Sequence, residues 1–426
     1  MRLAVFIWEF PPRIVGGLGT YISEIAPRFV KMGSDVSVFT LNDGNLEEHE
    51  VINGIDVYRP KILNSEDVVP TVIAEDIRRW GTGIRFFADL TMSNILSVNK
   101  LVNELVRKEH RNYDAIVVHD WLSIMGGMIA RRELDIPLIF HLHSTEKGRN
   151  LGEGSKTVRD LESVGAQKAD HVITVSYAMR DELLSLGFPQ GKINVVYNGV
   201  DPLKYDPQRV SQSKIEEIRR YYGLGPSDLM VLFIGRIVAV KGVDRLVQSM
   251  VSVRKRIPNA KLVIVGTSDM QYSIEELVST LKLEDCVKFR FEWIPEEERI
   301  AHYAASDLCV FPSLYEPFGI VALEAMSMAK PVVVGARGVS GMKEFVIPSG
   351  PGQTGFHINP YEPMDIAWGI TSALEDPRRA REMGENGRKL VIESFAWEGV
   401  AARTLKLYED LLNRGARKKE AAAKPM

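Results

Sequence analysis

Residues 2–8 form a short apolar run that stops at Glu9 and the Pro11-Pro12 pair. A glycine-rich turn follows, then apolar positions at helical spacing over 21–32, then a strand-like run at 35–39. Strand, loop, helix, strand is a βαβ unit. The same order returns with strand-like runs at 115–118, 137–142 and 171–175, each separated by a stretch of helical length. Repetition of this kind predicts a doubly wound parallel sheet covered by helices.

The series breaks at Tyr197-Asn198-Gly199-Val200-Asp201-Pro202, where turn residues gather, and a charged helix over 214–222 leads to Gly223-Leu224-Gly225-Pro226. A second set of strand-like runs then begins at 229–234, 261–265, 287–291, 308–311 and 331–334. Two Rossmann-like halves account for this better than one very large sheet. The expected fold is α/β, with an N-terminal domain over 1–200 and a C-terminal domain over 201–395. Residues 396–426 are expected to form a helix that packs back on the N-terminal domain and ends in a frayed tail.

Composition narrows the class. With 45% apolar and 26% charged residues among 426, the chain is an average globular protein long enough for two or three domains. A net charge of −3 lacks the basic footprint that nucleic acid phosphates require, so no nucleic acid partner is expected. The two cysteines, Cys286 and Cys309, lie in strand-like segments, which suits a reducing compartment. The opening apolar run is too short for a signal-peptide core or a membrane span, and a soluble, cytoplasmic protein is expected. Residues 77–87 mix basic and aromatic side chains in a possible amphipathic helix, but Gly81 and Gly83 weaken it, and membrane contact is not expected. The oligomeric state is left open.

Gly16-Gly17-Leu18-Gly19 lies between the first strand and its helix, where missing side chains let backbone N–H groups approach an anion. Taken alone the run reads better as a tight turn, and its spacing is not the G-x-G-x-x-G of dinucleotide sites. In the second half, Arg236 and Lys241 follow the strand 229–234, at the edge where open α/β sheets bind ligands. A guanidinium fork and a compact ammonium suit a diphosphate that gains charge as it leaves. Glu316-Pro317-Phe318-Gly319-Ile320-Val321-Ala322-Leu323-Glu324 follows the strand 308–311 and opens an apolar helix. Glu316 is placed to accept hydroxyls, Gly319 to let the backbone come close, and Glu324 to face a second set of hydroxyls. In the first half, His119-Asp120-Trp121 and His141-Leu142-His143-Ser144 end two strands. His141 and His143 point the same way if their strand continues. Two histidines and an aspartate lack a further ligand at fixed spacing, so no metal is expected, and His141 reads best as a core residue.

In this order, Gly-Gly-Leu near the N-terminus, Gly235-Arg236 with Lys241-Gly242, and Glu-x-Phe-Gly-x-x-x-Leu-Glu resemble the retaining glycosyltransferases of GT-B fold, the group that includes glycogen and starch synthases. The resemblance implies two Rossmann-like domains with doubly wound parallel sheets facing a central cleft. It implies that Arg236 and Lys241 hold the donor's diphosphate, Glu316 the donor sugar and Glu324 the ribose. It also implies that Gly16 and Gly17, with the backbone of Phe318, Gly319 and Ile320, approach phosphate and sugar. His143 would contact the sugar near the reacting carbon, and His119 and Asp120 would lie on the acceptor side. Bacterial glycogen synthases carry a lysine two residues before the glycine pair; here that position is Ile14, next to Arg13.

The activity so implied is a hexosyltransferase moving glucose, with retention, from ADP- or UDP-glucose to an α-glucan or small sugar. The nucleotide-sugar is a co-substrate and no cofactor is expected. Synthesis of maltose 1-phosphate or another disaccharide phosphate, transfer to a lipid, and nucleotide-sugar epimerisation are the alternatives. No two aspartates lie two residues apart, so leaving-group charge would fall on Arg236, Lys241 and helix N-termini. Glu316→Ala is expected to abolish transfer at little cost in stability.

Overall fold

Strands buried on both faces read as nearly continuous apolar runs, and that is how the centre of the first sheet is built. Its strands are β1 (Arg2–Phe6), β2 (Asp35–Phe39), β3 (His49–Ile52), β4 (Ile55–Tyr58), β5 (Ala115–His119), β6 (Leu138–Leu142), β7 (His171–Thr174) and β8 (Ile193–Val195). They lie in the order β3-β4-β2-β1-β5-β6-β7-β8. Every residue of β5 and β6 is buried. The computed structural model describes residues 1–42, 44–63, 75, 80 and 83–423. They divide into two units. The first holds Met1–Val175, Arg180–Tyr197 and the segment from Trp397, and the second holds Ser176–Met179 and Asn198–Ala396.

The first sheet departs from the expected all-parallel arrangement at one edge, where β3 and β4 pair antiparallel. Asn53 and Gly54 between them both have positive φ, 52° and 79°, the backbone of a tight two-residue hairpin. The other pairings, from β4 to β8, are parallel.

The second unit carries β9 (Leu229–Ile234), β10 (Ala260–Val265), β11 (Val287–Arg290), β12 (Leu308–Phe311), β13 (Val332–Gly335) and β14 (Gly355–Ile358). All pair in parallel, in the order β11-β10-β9-β12-β13-β14. This is the doubly wound 3-2-1-4-5-6 order, and the winding reverses between β9 and β12. In the first unit the reversal falls between β1 and β5. Neighbouring connections there leave to opposite faces, opening a crevice at the carboxyl ends of the strands.

The last helix, Trp397–Ala423, belongs to the first unit. Trp397 is buried against Tyr21, Arg28 donates to Glu398 at 2.8 Å, and Tyr408 reaches His141 at 2.7 Å. Its backbone is helical to Ala423. Part of the basic and aromatic stretch over 77–87, including Ile77, Arg78, Arg79 and Gly81, lies outside the described residues, whereas Gly83–Asn99 is helical. Among the described residues no helix is long and apolar enough to cross a membrane.

Candidate active site

The second unit's reversal point gathers the strongest constellation. β9 ends at Ile234, and the chain turns through Gly235 and Arg236 into a single helical turn, Ala239–Lys241. Gly242 follows with φ of 66°, and a Cβ there would lie 2.3 Å from the carbonyl oxygen of Pro312. Only glycine lets this turn press against the loop after β12. Leu314 N–H donates to the Val240 carbonyl at 2.8 Å and locks the two loops together. Lys241 Nζ thereby meets Glu316 Oε2 at 2.5 Å, and Ser313 Oγ donates to the same oxygen at 3.0 Å. Glu316 is held by its backbone too, donating N–H to Val339 and accepting from Gly341. Lys241 and Glu316, 75 residues apart, are thus brought into direct contact.

Arg236 stands exposed at the same strand end, without a hydrogen bond or ion pair among the described residues. Phe318 is buried against Phe345, and Gly319, φ 97°, is the N-cap of the helix Ile320–Ser327, which no side chain caps. Its first N–H groups and the positive end of its dipole suit an anion. Glu316 is buried and ion-paired, so the expected low stability cost of Glu316→Ala does not hold: alanine would leave the Lys241 ammonium without its counter-charge.

Glu324 does not join this set. Its carboxylate is buried and accepts from Tyr205 Oη at 3.0 Å and Tyr303 Oη at 2.8 Å, with Arg299 at 3.5 Å. These partners come from two other segments, and no local pattern announced them.

In the first unit the glycine run opens the helix Gly17–Lys31 as expected, yet part of its N–H array is already taken. Glu9 Oε2 accepts from Val15 N–H at 2.5 Å and from Gly16 N–H at 3.3 Å. Burial pushes the Glu9 carboxyl above its usual range, against the pull of the Val15, Gly19 and Gly16 N–H groups and of Arg13. A Cβ on Gly19 would lie 2.8 Å from Glu9 Oε2, so Gly19 is glycine to admit this carboxylate. Gly16 and Gly17 have neither a positive φ nor a heavy atom within 4 Å of a built Cβ. Gly19→Ala is therefore expected to cost about 1–3 kcal/mol, because it drives Glu9 off its donors. Gly17→Ala is expected to leave stability unchanged. Urea melts of both variants check this. The Arg13 guanidinium lies 5.2 Å from the Trp8 ring centroid, and Ile14 is exposed.

After β5 and β6, three imidazoles meet. His119 Nδ1 and His143 Nε2 are 3.0 Å apart, and His141 Nε2 pairs with Tyr408 Oη. Asp120, a non-glycine residue at φ 54°, accepts the His143 N–H at 2.7 Å, which ties the ends of the two strands. Burial holds His119 and His141 well below the usual imidazole range and His143 below it, with Asp120 opposing the shift at His143. His141 is buried and paired with Tyr408, as a core histidine would be, and its ring lies 4.8 Å from that of His119. One nitrogen from each lies within 4.8 Å of the others, the group among the described residues that could hold a metal ion. Next in the chain, Arg149 donates to Ser144 Oγ at 2.6 Å and to Glu146 at 3.0 Å. Burial pushes the neighbouring Glu162 carboxyl up to about 8.

Two doubly wound units, each with polar side chains gathered at the reversal point of its sheet, match the GT-B glycosyltransferases. Residues 15–203 match Glycosyltransferase Family 4 and residues 214–390 match Glycosyl transferases group 1. An uncharacterized glycosyltransferase of Methanocaldococcus jannaschii is 33% identical over 415 residues, 96% of this chain and 98% of that protein. A glycogen synthase of Mycobacterium tuberculosis is 27% identical over 420 residues, 96% of this chain and 94% of that one. The solved sucrose-phosphate synthase of Thermosynechococcus elongatus superposes with a TM-score of 0.77 at 26% identity, over 97% of this chain and 99% of that one. The chain belongs to the group 1 glycosyltransferases, and it is an enzyme of the hexosyltransferase type.

Proposed function

We propose that the protein transfers glucose, with retention, from ADP- or UDP-glucose to a hydroxyl of an α-glucan. The observation that carries this reading is the Lys241–Glu316 contact at the second unit's reversal point. One partner suits a departing diphosphate and the other accepts sugar hydroxyls. Arg236 and the uncapped start of the helix Ile320–Ser327 add positive charge at the same strand ends. Charge that develops on the leaving diphosphate falls on these groups, and preorganised charge of this kind is commonly the largest part of such catalysis. No metal is needed in this reading. The departing phosphate takes the acceptor's proton as the acceptor attacks on the face it leaves, so the sugar keeps its configuration. His143, oriented by Asp120 and His119, serves the sugar near its reacting carbon, while His119 and Asp120 serve the acceptor side. Gly16 and Gly17 admit the donor's phosphate. Similarity to a glycogen synthase over almost the whole chain supports the glucan acceptor. Two free, buried cysteines support a cytoplasmic site of action.

The test offers labelled ADP-glucose and UDP-glucose with glycogen, with glucose 1-phosphate or with a lipid extract, and follows the label. Label in α-linked glucan is expected. Label in a disaccharide phosphate or a lipid replaces the acceptor, and donor conversion without any acceptor points to epimerisation. No turnover under any condition sinks the proposal.

A further inference from the structure

Three of the chain's eight histidines converge at the carboxyl ends of β5 and β6. His141 and His143 are two residues apart and share a face of their strand. The parallel register sets His119 beside His141. Strand β6 alone offers two ligands, and its pairing with β5 adds the third. Ring centroids lie 4.8 Å apart for His119 and His141, 5.3 Å for His119 and His143, and 6.0 Å for His141 and His143. One nitrogen of each ring is engaged, His119 Nδ1 with His143 Nε2 and His141 Nε2 with Tyr408 Oη. The second nitrogen of each makes no hydrogen bond among the described residues. Buried polar atoms are rarely left in that state, so these rings hold more donor and acceptor capacity than the fold uses. His119 and His141 are buried, while the half-buried His143 gives the group an edge toward solvent.

We infer that His119, His141 and His143 bind a divalent ion of the zinc class through three imidazole nitrogens, with Tyr408 orienting His141 from outside and a fourth position left to water. An all-imidazole set suits zinc, cobalt, nickel or copper rather than magnesium or calcium, which seek oxygen. Nitrogens about 2.0–2.1 Å from a tetrahedral zinc stand about 3.3 Å from one another. One nitrogen from each ring already lies within 4.8 Å of the others, so modest ring rotations reach that spacing. The bond between His119 and His143 holds one proton between two nitrogens. Ligation needs both lone pairs, so that proton moves to the other nitrogen of its own ring, and the neutral imidazoles take up the ion without net proton release. A bound ion withdraws His119 and His143 from sugar and acceptor and so inhibits transfer. That consequence rests on the reaction proposed above, whereas binding does not.

Calorimetry of the full chain with zinc chloride, and with magnesium chloride as the oxygen-seeking control, tests the site. A single zinc and no magnesium is expected, with cobalt giving the strong visible absorption of a tetrahedral nitrogen-bound ion. Tyr408→Phe is expected to weaken zinc by about 10–100-fold, as loss of an outer-shell partner does, and His141→Gln by more than about 100-fold. With a chelator present His141→Gln turns over like the wild type, and zinc that stops the wild type leaves it active. A wild type that binds no zinc, or a folded His141→Gln that binds it with undiminished affinity, overturns the site. Zinc bound at the three rings without effect on turnover overturns the inhibition and removes His119 and His143 from the proposed reaction. A wild type with no turnover in chelator contradicts that reaction, and the calorimetry then decides the site by itself. Should His141→Gln not fold, a wild-type crystal grown with zinc and measured at the zinc absorption edge decides: a peak among the three rings supports the site, and a peak elsewhere overturns it.

Discussion

Lys241→Ala lowers kcat by about 10²–10³-fold while the donor's KM changes far less. The ammonium sits on Glu316 at the end of β9, so in the proposed reaction it meets a diphosphate whose charge is greatest in the transition state. An interaction that strengthens toward the transition state appears in kcat rather than in KM. Lys241 is partly exposed and Glu316 keeps the Ser313 hydroxyl, so the change costs stability, as loss of Glu316 does, while the chain still folds. Lys241→Arg restores the charge but with a planar fork instead of a point, and it recovers only part of the rate. Steady-state kinetics with the better donor, alongside melting temperatures of the three proteins, checks this. An unaltered kcat removes Lys241 from the mechanism.

Acidification destabilises the first unit steeply below about pH 6.5. His119, His141 and His143 have folded values below the ordinary 6.5, chiefly through burial. The unfolded chain therefore binds protons that the folded chain refuses. Stability contributed by these groups is fully present above the unfolded value and is lost as pH falls toward the folded ones. Each contributes a slope of up to about 1.4 kcal/mol per pH unit, so the three together reach about 4. Glu162 works in the opposite direction: with its folded value raised to about 8, its contribution is present at low pH and is lost as pH rises toward 8. Urea denaturation from pH 7.5 to 5 measures the sum. In His141→Gln the acid slope is expected to be shallower by up to about 1.4 kcal/mol per pH unit. An identical slope contradicts the burial of a neutral imidazole at that position.

The parallel strands were legible because burial on both faces writes them as nearly continuous apolar runs, as in β5, β9 and β13. The β3–β4 hairpin was missed although Asn53-Gly54 is a strong turn signal, since its four-residue strands alternate too briefly to stand out. β8 and β14, three and four residues long, carry even less pattern. Lys241 and Glu316 were readable because each follows a strand, and strand ends of one sheet share an edge. The partners of Glu324 were not, because Tyr205 lies 119 residues away and only tertiary folding brings it near. Glu9 could have been suspected from the sequence: a lone carboxylate between a buried strand and a glycine run has helix N–H groups within reach.

The most direct test is a crystal structure of the full chain with the nucleotide-glucose that it turns over. Diphosphate oxygens within about 3.2 Å of Lys241 Nζ and the Arg236 guanidinium, with a glucose hydroxyl on Glu316, are the predicted result. A nucleotide seated away from the ends of β9 and β12, with the Lys241–Glu316 pair untouched, would contradict it.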